Sequence, residues 1–579
     1  MVVIDVCICI LAAVHVVAAV VLSARVFARA GGLLWGDYSP AGVVLWASLL
    51  GLVGLGTVRV LIALAGFTGN AVTVVLLWVV VVLSVIRTVP ALVQQYEGWD
   101  PLIRRRWRVS TEPLTSWIPP ANAPFVTVQV PIHSEPPEIV KATLDHLAQL
   151  DYPAYEVLVI DNNTSDPALW EPVEQHCRAL GSRFRFVHVE GITGAKAGAL
   201  NWSRRLLDPR TELVALVDAD YQVTARWLRD TVGLFEDPSL GFVQCPHAYR
   251  DFEHSGYQRM ANAAYQWAQA TEMVSRNEHG AGITVGTMSL IRLTALDEAG
   301  GWAEWCMTED SEFAIRVHAA GWQSKFLTTV YGRGLIPETF EELKKQRYRW
   351  TYGPGQEFKR HWRLFVPGPW RRPSKLTAAQ RWRHGNYDLV ILTTGAGVLA
   401  LPISGALLVA MAVSGTVPPV VPSALIGVLA MLFARRLMRW TIYRTVVGLD
   451  NRTTLGGLVA LLAVRPTMAG AGLDVVLGRR TSFQRTDKFR QQPSLRRALT
   501  SAKTEVVLAL SCLTAAALTP FILPTAPTTY LLSLTFAWLA YLHATAPYLA
   551  YRAEHDLHHR DNHHPETDHL TPAIRSNPR

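Results

Sequence analysis

Charge is scarce in this chain. Asp, Glu, Lys and Arg make up 17% of its 579 residues, and half of the residues are hydrophobic. A soluble globular chain carries about 25% charged residues. The excess of apolar residues excludes a disordered chain, which needs low hydrophobicity and high charge. The length excludes one small compact domain. Cysteine is also sparse: Cys7, Cys9, Cys177, Cys245, Cys306 and Cys512 are scattered and form no CxxC pair. That argues against a zinc cluster and against a disulfide framework, and fits a reduced, cytosol-facing bulk. A mean hydropathy of +0.17 is too mild for a chain lying wholly in a membrane. The composition therefore predicts a mixed chain, part membrane and part soluble. The formal net charge is +9, a balance that suits nucleic acid, anionic lipid or a phosphorylated substrate equally well.

What is present is apolar sequence in long runs. Three open the chain, over 2–27, 41–65 and 71–93. Each reaches the roughly 20 residues a spanning helix needs. The first is not a clean signal peptide: Asp5 stands where basic residues should precede the apolar stretch, and Ala28-Arg29-Ala30 only faintly resembles a cleavage site. Further runs at 387–413, 420–433, 506–523 and 530–551 bring the expected spans to seven. The run 455–477 is interrupted by Arg465, Pro466 and Asp474, so it is read as an amphipathic helix on the membrane surface, the alternative being an eighth span. The basic clusters Arg25/Arg29, Arg104–Arg108, Arg435–Arg439 and Arg479–Arg497 all fall on one side of this arrangement. The positive-inside rule makes that side cytoplasmic, which accounts for much of the +9 without nucleic acid. Arg59 lies inside the second run and is expected to face a protein-lined path.

Between the third and fourth runs, strand-like and helix-like patterns alternate, which predicts an α/β domain. Polar groups recur just after strand ends: His133-Ser134-Glu135 after the strand containing Pro131, Asp161-Asn162-Asn163-Thr164, the glycine-rich turn leading to Lys196, and Asp218-Ala219-Asp220. That edge is where open α/β sheets bind ligands. Asp218 and Asp220 form either an Asp-rich turn or a pair of carboxylates for a divalent cation and a diphosphate. Thr308-Glu309-Asp310 begins a helix, where acids suit the dipole and Thr308 suits a cap; Asp310 is alternatively a general base. Gln346-Arg347-Tyr348-Arg349-Trp350 lies on a basic helical stretch, either a surface helix with a packed Trp or a phosphate-binding and stacking surface.

Taken together and in this order, these motifs resemble those of the processive, membrane-embedded, inverting synthases of glycosyltransferase family 2, the group of cellulose, chitin and hyaluronan synthases. Phe483-Gln484-Arg485-Thr486-Asp487-Lys488 resembles their gating loop. Asp161-Asn162-Asn163-Thr164, 166–174, 196–201, 300–305 and 331–335 look most like bacterial β-(1,3)/(1,6)-glucan synthases of the cyclic-glucan type. The chain departs from the common pattern at Asn162, where many members have Asp, and at His133-Ser134, where they have Tyr-Asn.

The resemblance implies a GT-A-like mixed sheet with helices on both faces, inserted between transmembrane helices. The expected division is 1–95 (three spans), 96–383 (cytoplasmic glycosyltransferase domain), 384–450 (two spans), 451–500 (interface helix and gating loop), 501–552 (two spans) and 553–579 (a His-rich disordered tail). It implies transfer of glucose from UDP-glucose to a growing β-glucan that is exported as it grows. Pro131, Glu135, Asp161, Lys196, Asp218, Arg347 and Arg349 would contact the nucleotide. Asp218 and Asp220 would hold Mg²⁺ or Mn²⁺, and Asp310 would be the base. Thr308, Glu309, Gln346 and Trp350 would bind the acceptor, and Phe483, Thr486 and Lys488 would gate. The expected partners are the UDP-sugar, the polysaccharide acceptor and the lipid bilayer of the inner (plasma) membrane, with no nucleic acid. An accessory export subunit or a homo-oligomer is left open. The alternatives are a non-processive hexosyltransferase acting on a lipid carrier and a chitin-type N-acetylglucosamine polymerase; a silent scaffold subunit is disfavoured by the intact carboxylates. His555, His558, His559, His563, His564 and His569 in the tail could ligate zinc or copper, but a solvated tail is the simpler reading.

Overall fold

A computed structural model describes residues 1–24, 37–479, 481, 486–487 and 491–563. Its centre is a mixed seven-stranded sheet. The strands are β1 (Phe125–Ile132), β2 (Tyr155–Asn162), β3 (Phe184–Val189), β4 (Thr211–Leu216), β6 (Leu240–Gln244), β8 (Ser289–Arg292) and β9 (Gln323–Phe326), in the order β3-β2-β1-β4-β8-β6-β9. Neighbours among β3, β2, β1 and β4 run parallel, as does the β6/β9 pair, while β8 is antiparallel to both β4 and β6. Three short strands, β5 (Gln222–Val223), β7 (Ala248–Arg250) and β10 (Gly332–Leu335), form a second sheet in the order β5-β10-β7.

The strand period of two explains the layering. Leu213 and Ala215 of β4 enter one apolar cluster, with Val126, Val128, Val140 and Leu144. Val214 and Leu216 enter another, with Leu200, Phe242 and Phe313. Both faces are thus covered, as in the GT-A-like arrangement expected. The strands that read as continuous apolar runs are those buried on both sides.

Among the described residues, six helical stretches are long and apolar enough to cross a membrane by length and composition: Val2–Ala24, Pro40–Ala65, Ala71–Ile103, Ala378–Ser414, Asn451–Val476 and Lys503–Ile522. On that measure the chain reads as a multi-pass membrane protein. The set differs from the seven runs expected. Pro422–Thr445 is a helix but is not among the six; Arg435, Arg436, Arg439 and Arg444 occupy its second half. Pro527–His563 is not among them either, although it contains the run 530–551. Asn451–Val476, expected on the membrane surface, is apolar enough to count. It is nevertheless two helices, Asn451–Ala463 and Arg465–Val476, of 13 and 12 residues. Ala460, Ala463 and Val464 share an apolar cluster with Tyr257, Ala261 and Ala264 of the helix Gly256–Ala270.

Two expectations need correction at the junctions. The divisions at 95 and 383 fall inside the helices Ala71–Ile103 and Ala378–Thr394, because these helices run on into the domain. Glu97 there meets Arg276 and Arg383. The stretch 553–563, expected as part of a disordered tail, continues the last helix. Its Glu554 pairs with Arg497 at 2.6 Å, and Asp556 accepts from Ser255 and the Tyr257 backbone. Arg59 has a partner on a neighbouring helix: its Nε lies 2.8 Å from Asp5 of the first helix. Arg25, Arg29, His564 and His569 lie outside the described residues.

Candidate active site

The C-terminal ends of β1, β2 and β4 form one edge, and the polar turns that follow these strands gather there. After β3, positive φ angles at Gly191 and Gly194 turn the chain into the helix Ala195–Ser203, which carries Lys196. Lys196 Nζ lies 2.5 Å from Asp218 Oδ1 and donates to the Gly286 carbonyl at 2.6 Å. The Asp218 backbone N–H donates to Thr287. Asp220 is buried, and its Oδ2 accepts from the Leu335 backbone at 2.7 Å. The two sheets therefore clamp the Asp218-Ala219-Asp220 turn between them.

Gly286 ties this cluster to Asp310. A Cβ at Gly286 would stand 2.9 Å from Asp310 Oδ2 and 3.5 Å from Lys196 Nζ, and the residue has φ +77°. Glycine is required there on both counts. Lys196, Asp218 and Asp310 thus converge around a bare stretch of backbone, with Glu309 beside them. Burial, then the charge of Glu309, pushes the Asp310 carboxyl up to about 7. Burial likewise raises Glu309, against the pull of Lys196. Burial works against the charge on Lys196, but Asp218, Glu309 and Asp310 together carry it above its ordinary value. Burial lowers Arg349, although Glu309, Asp218 and Asp310 oppose it.

The helix Phe340–Phe365 supplies the other wall. Arg349 donates to Thr486 Oγ1 at 2.7 Å, and the Asp487 backbone donates to Glu342. The described part of the expected gating segment is therefore laid along this helix; Phe483 and Lys488 lie outside the described residues. Gln346 is buried and accepts from the Tyr265 hydroxyl. The Arg347 guanidinium stands 4.2 Å from the Tyr265 ring centroid and 5.0 Å from that of Trp350. Trp350 meets Tyr265 edge-on and His247 at a tilt. Gln346 and Arg347 are thus engaged within an aromatic cluster, while Arg349 faces the acids.

Two expected residues are held differently from their sequence reading. Asp161, at the end of β2, is wholly buried: Oδ1 accepts from Thr164 at 2.5 Å and Oδ2 lies 2.6 Å from His188 Nδ1. His188 stacks on Trp170 with centroids 4.4 Å apart. Burial raises Asp161 against both of those partners. The Thr308 side chain does not cap the helix Glu309–Ala320; it donates to Glu357 at 2.6 Å. At the β1 end, the His133 backbone donates to Glu135, and Pro131 sits within the strand.

Glu357 escaped the sequence reading. It is fully buried and accepts from both Thr308 and Ser311 at 2.6 Å, bracketing Glu309 and Asp310. Burial, with Glu312 and Asp310 adding to it, pushes Glu357 up to about 8. The close approach depends on Gly353, where a Cβ would lie 2.0 Å from Thr308 Oγ1. A signal was present: Glu357 follows Trp350 by seven residues, two helical turns on the same face.

Residues 123–353 match the family model described as "Glycosyltransferase like family 2". Among curated relatives, glucomannan 4-beta-mannosyltransferase 1 of Cyamopsis tetragonoloba is 31% identical over 41% of this chain and 46% of its own length. Glucomannan 4-beta-mannosyltransferase 2 of Arabidopsis thaliana is 29% identical over 42% and 46%. The match thus spans about half the length of these relatives. A mannosyltransferase of Pyrobaculum calidifontis, solved with GDP-Man and Mn²⁺, overlays with a TM-score of 0.48 at 21% identity, covering 70% of this chain and 100% of that one. The S. aureus TarS fragment 1–349 with UDP-GlcNAc gives 0.32 at 15%, covering 63% and 95%. These overlays are too loose to bear on chemistry. The sheet order and the motifs along its edge lie within the residues, 123–353, that match this family model.

Proposed function

We propose that the protein transfers a hexose, with inversion, from a nucleoside-diphosphate sugar to a growing β-glycan, and exports the polymer through its membrane helices. The observation that carries this reading is the convergence of Lys196, Asp218 and Asp310 on Gly286. A carboxylate with a raised pKa is a stronger base and removes a hydroxyl proton more readily near neutral pH. Asp310 would take the proton from the acceptor hydroxyl, whose oxygen then attacks the anomeric carbon opposite the leaving diphosphate. A single displacement turns an α-linked donor into a β-linked product. Lys196 and Arg349 would offset charge on the diphosphate as it leaves. Trp350, packed against Tyr265 and His247, would stack the terminal sugar of the acceptor.

Asp218 and Asp220 suit a hard divalent cation. No group of three or more His, Cys, Asp or Glu that could hold a metal occurs among the described residues, so the diphosphate would complete the coordination, as Mg²⁺ favours. A cation held there, Mg²⁺ or Mn²⁺, would supply Lewis-acid stabilisation of the leaving group.

The sugar admits two readings. The resemblance to cyclic-glucan synthases favours glucose from UDP-glucose and a cytoplasmic domain on the inner membrane. The curated relatives are named as mannosyltransferases, which favours mannose as the second reading. The purified chain, offered UDP-glucose, GDP-mannose and UDP-N-acetylglucosamine separately, decides by linkage and size analysis of the product. A long β-linked polymer from one donor is expected. A single added sugar would overturn processivity, and no transfer from any donor would overturn the assignment.

A further inference from the structure

The helices Gly256–Ala270, Asn451–Ala463 and Pro527–His563 meet around a cavity of about 350 Å³. None of its lining residues belongs to the candidate active site. Three arginines line it: Arg259, Arg452 and Arg552. Arg552 is fixed, with its Nε 3.3 Å from Asp556. Arg259 and Arg452 are exposed, and neither side chain has a hydrogen-bond or ion-pair partner among the described residues.

The nearby acids are already engaged. Both Asp450 oxygens accept from Thr453, through its backbone and its hydroxyl. Asp556 accepts from Ser255 and the Tyr257 backbone. Asp450 lines the cavity and Asp556 pairs with Arg552, so three guanidiniums stand against two carboxylates; Arg259 and Arg452 pair with neither acid, and their planar donor forks match phosphate oxygens.

Its remaining wall is apolar. Met260 and Val459 line it, and Leu455 and Tyr548 stand 56% and 53% exposed at its edge. Arg552 immediately follows the apolar run 530–551, and Tyr551 is exposed at the same level. Tyrosine rings followed by basic residues mark the interfacial zone of a bilayer. A soluble phosphate needs the guanidiniums but not the exposed leucine and tyrosine; a phospholipid needs both.

We propose that this cavity binds the phosphodiester headgroup of an anionic membrane lipid, with Arg259, Arg452 and Arg552 around the phosphate and the acyl chains along Leu455 and Val459. Basic pockets between helices at a membrane rim bind anionic headgroups in this way. The site joins the domain helix Gly256–Ala270 to the last long helix, so an occupied cavity ties the domain to the membrane. The inference does not depend on the transferase reading.

The test uses the purified full chain in uncharged detergent. It is titrated separately with dihexanoyl phosphatidylglycerol, dihexanoyl phosphatidylcholine and inorganic phosphate, and the thermal unfolding midpoint is read. Phosphatidylglycerol is expected to raise the midpoint saturably. The variant R259Q/R452Q should need at least about tenfold more lipid for the same rise, since it loses two charge-assisted contacts to the phosphate. An unchanged response in the variant, an equal response to phosphatidylcholine or no response in the parent chain overturns the proposal. An equal, arginine-dependent response to inorganic phosphate overturns the lipid assignment in favour of a soluble anion. If the double variant unfolds early without ligand, R452Q alone is read in the same way.

Discussion

Two buried clusters of charge stand in this domain, and they are built differently. Where the membrane helices enter the domain, each acid has an arginine partner. Glu97 lies between Arg383 at 2.8 Å and Arg276 at 3.4 Å, and Asp100 meets Arg104 at 3.1 Å and accepts from Ser275. Arg104 also reaches Glu278. At the candidate active site, Asp218, Glu309, Asp310 and Glu357 crowd together around Lys196 and Arg349, and acids outnumber cations. Matched charge offsets part of its own desolvation, though burial still raises Asp100 against the pull of Arg104, and it holds two parts of the chain in register. Crowded acids raise one another's affinity for protons, which leaves a carboxylate ready to take one.

Breaking each cluster should therefore give a different kind of loss. The largest effect is expected from Asp310→Asn: transfer should fall by about 10³-fold or more, while nucleotide binding, followed by calorimetry, persists. Retained turnover would remove Asp310 from the role of base. Glu97→Ala strikes the other cluster. It leaves two buried guanidiniums without their acid, and should cost about 3–5 kcal/mol of stability, seen as a lower unfolding midpoint.

Glu357 sharpens the comparison. Glu357→Ala removes the acceptor shared by Thr308 and Ser311 and should reduce turnover by about tenfold. Glu357→Gln keeps the shape and should retain most activity. The folded-state pKa of Glu357 is raised from 4.5 to about 8, so the native state holds a proton that the unfolded chain releases. Stability from this group is full below pH 4.5 and falls as the pH rises toward 8. Glu357→Gln should flatten that fall in a pH series of unfolding midpoints.

Glu309→Gln tests the crowding itself. Asp310 must be ionised to act, so activity should fade as the pH drops through about 7. Burial would still hold Asp310 up in the variant, but the neighbouring negative charge would be gone. The acid limb of the rate profile should move to lower pH; a limb that stays put would mean that Glu309 does not act on Asp310. The smallest effect is expected from Thr486→Ala, which removes the Arg349 contact and should change turnover by a few-fold in steady-state assays.

How much of this was legible beforehand differs by residue. Asp218, Asp220, Asp310 and Arg349 stood out because each follows a strand or lies in a short motif, and local order is what a sequence displays. Asp161 was visible as a strand-end acid, but its enclosure by Thr164 and His188 was not, since His188 belongs to a neighbouring strand. Glu357 and Gly286 lie 47 and 24 residues from Asp310 in the chain, and only packing brings them to it. Arg59 looked misplaced until its partner Asp5 was seen 54 residues away.

The sequence alone determined the division into apolar runs and an α/β domain, the strand-by-strand burial and the edge on which chemistry collects. Those follow from periodicity and local chain direction, which need no knowledge of distant neighbours. The tertiary structure decided which acids are paired and which are crowded, where the membrane helices become part of the domain, and that Asn451–Val476 breaks into two. Those depend on distances between residues far apart in the chain, and the Coulomb and desolvation energies that matter here act through space.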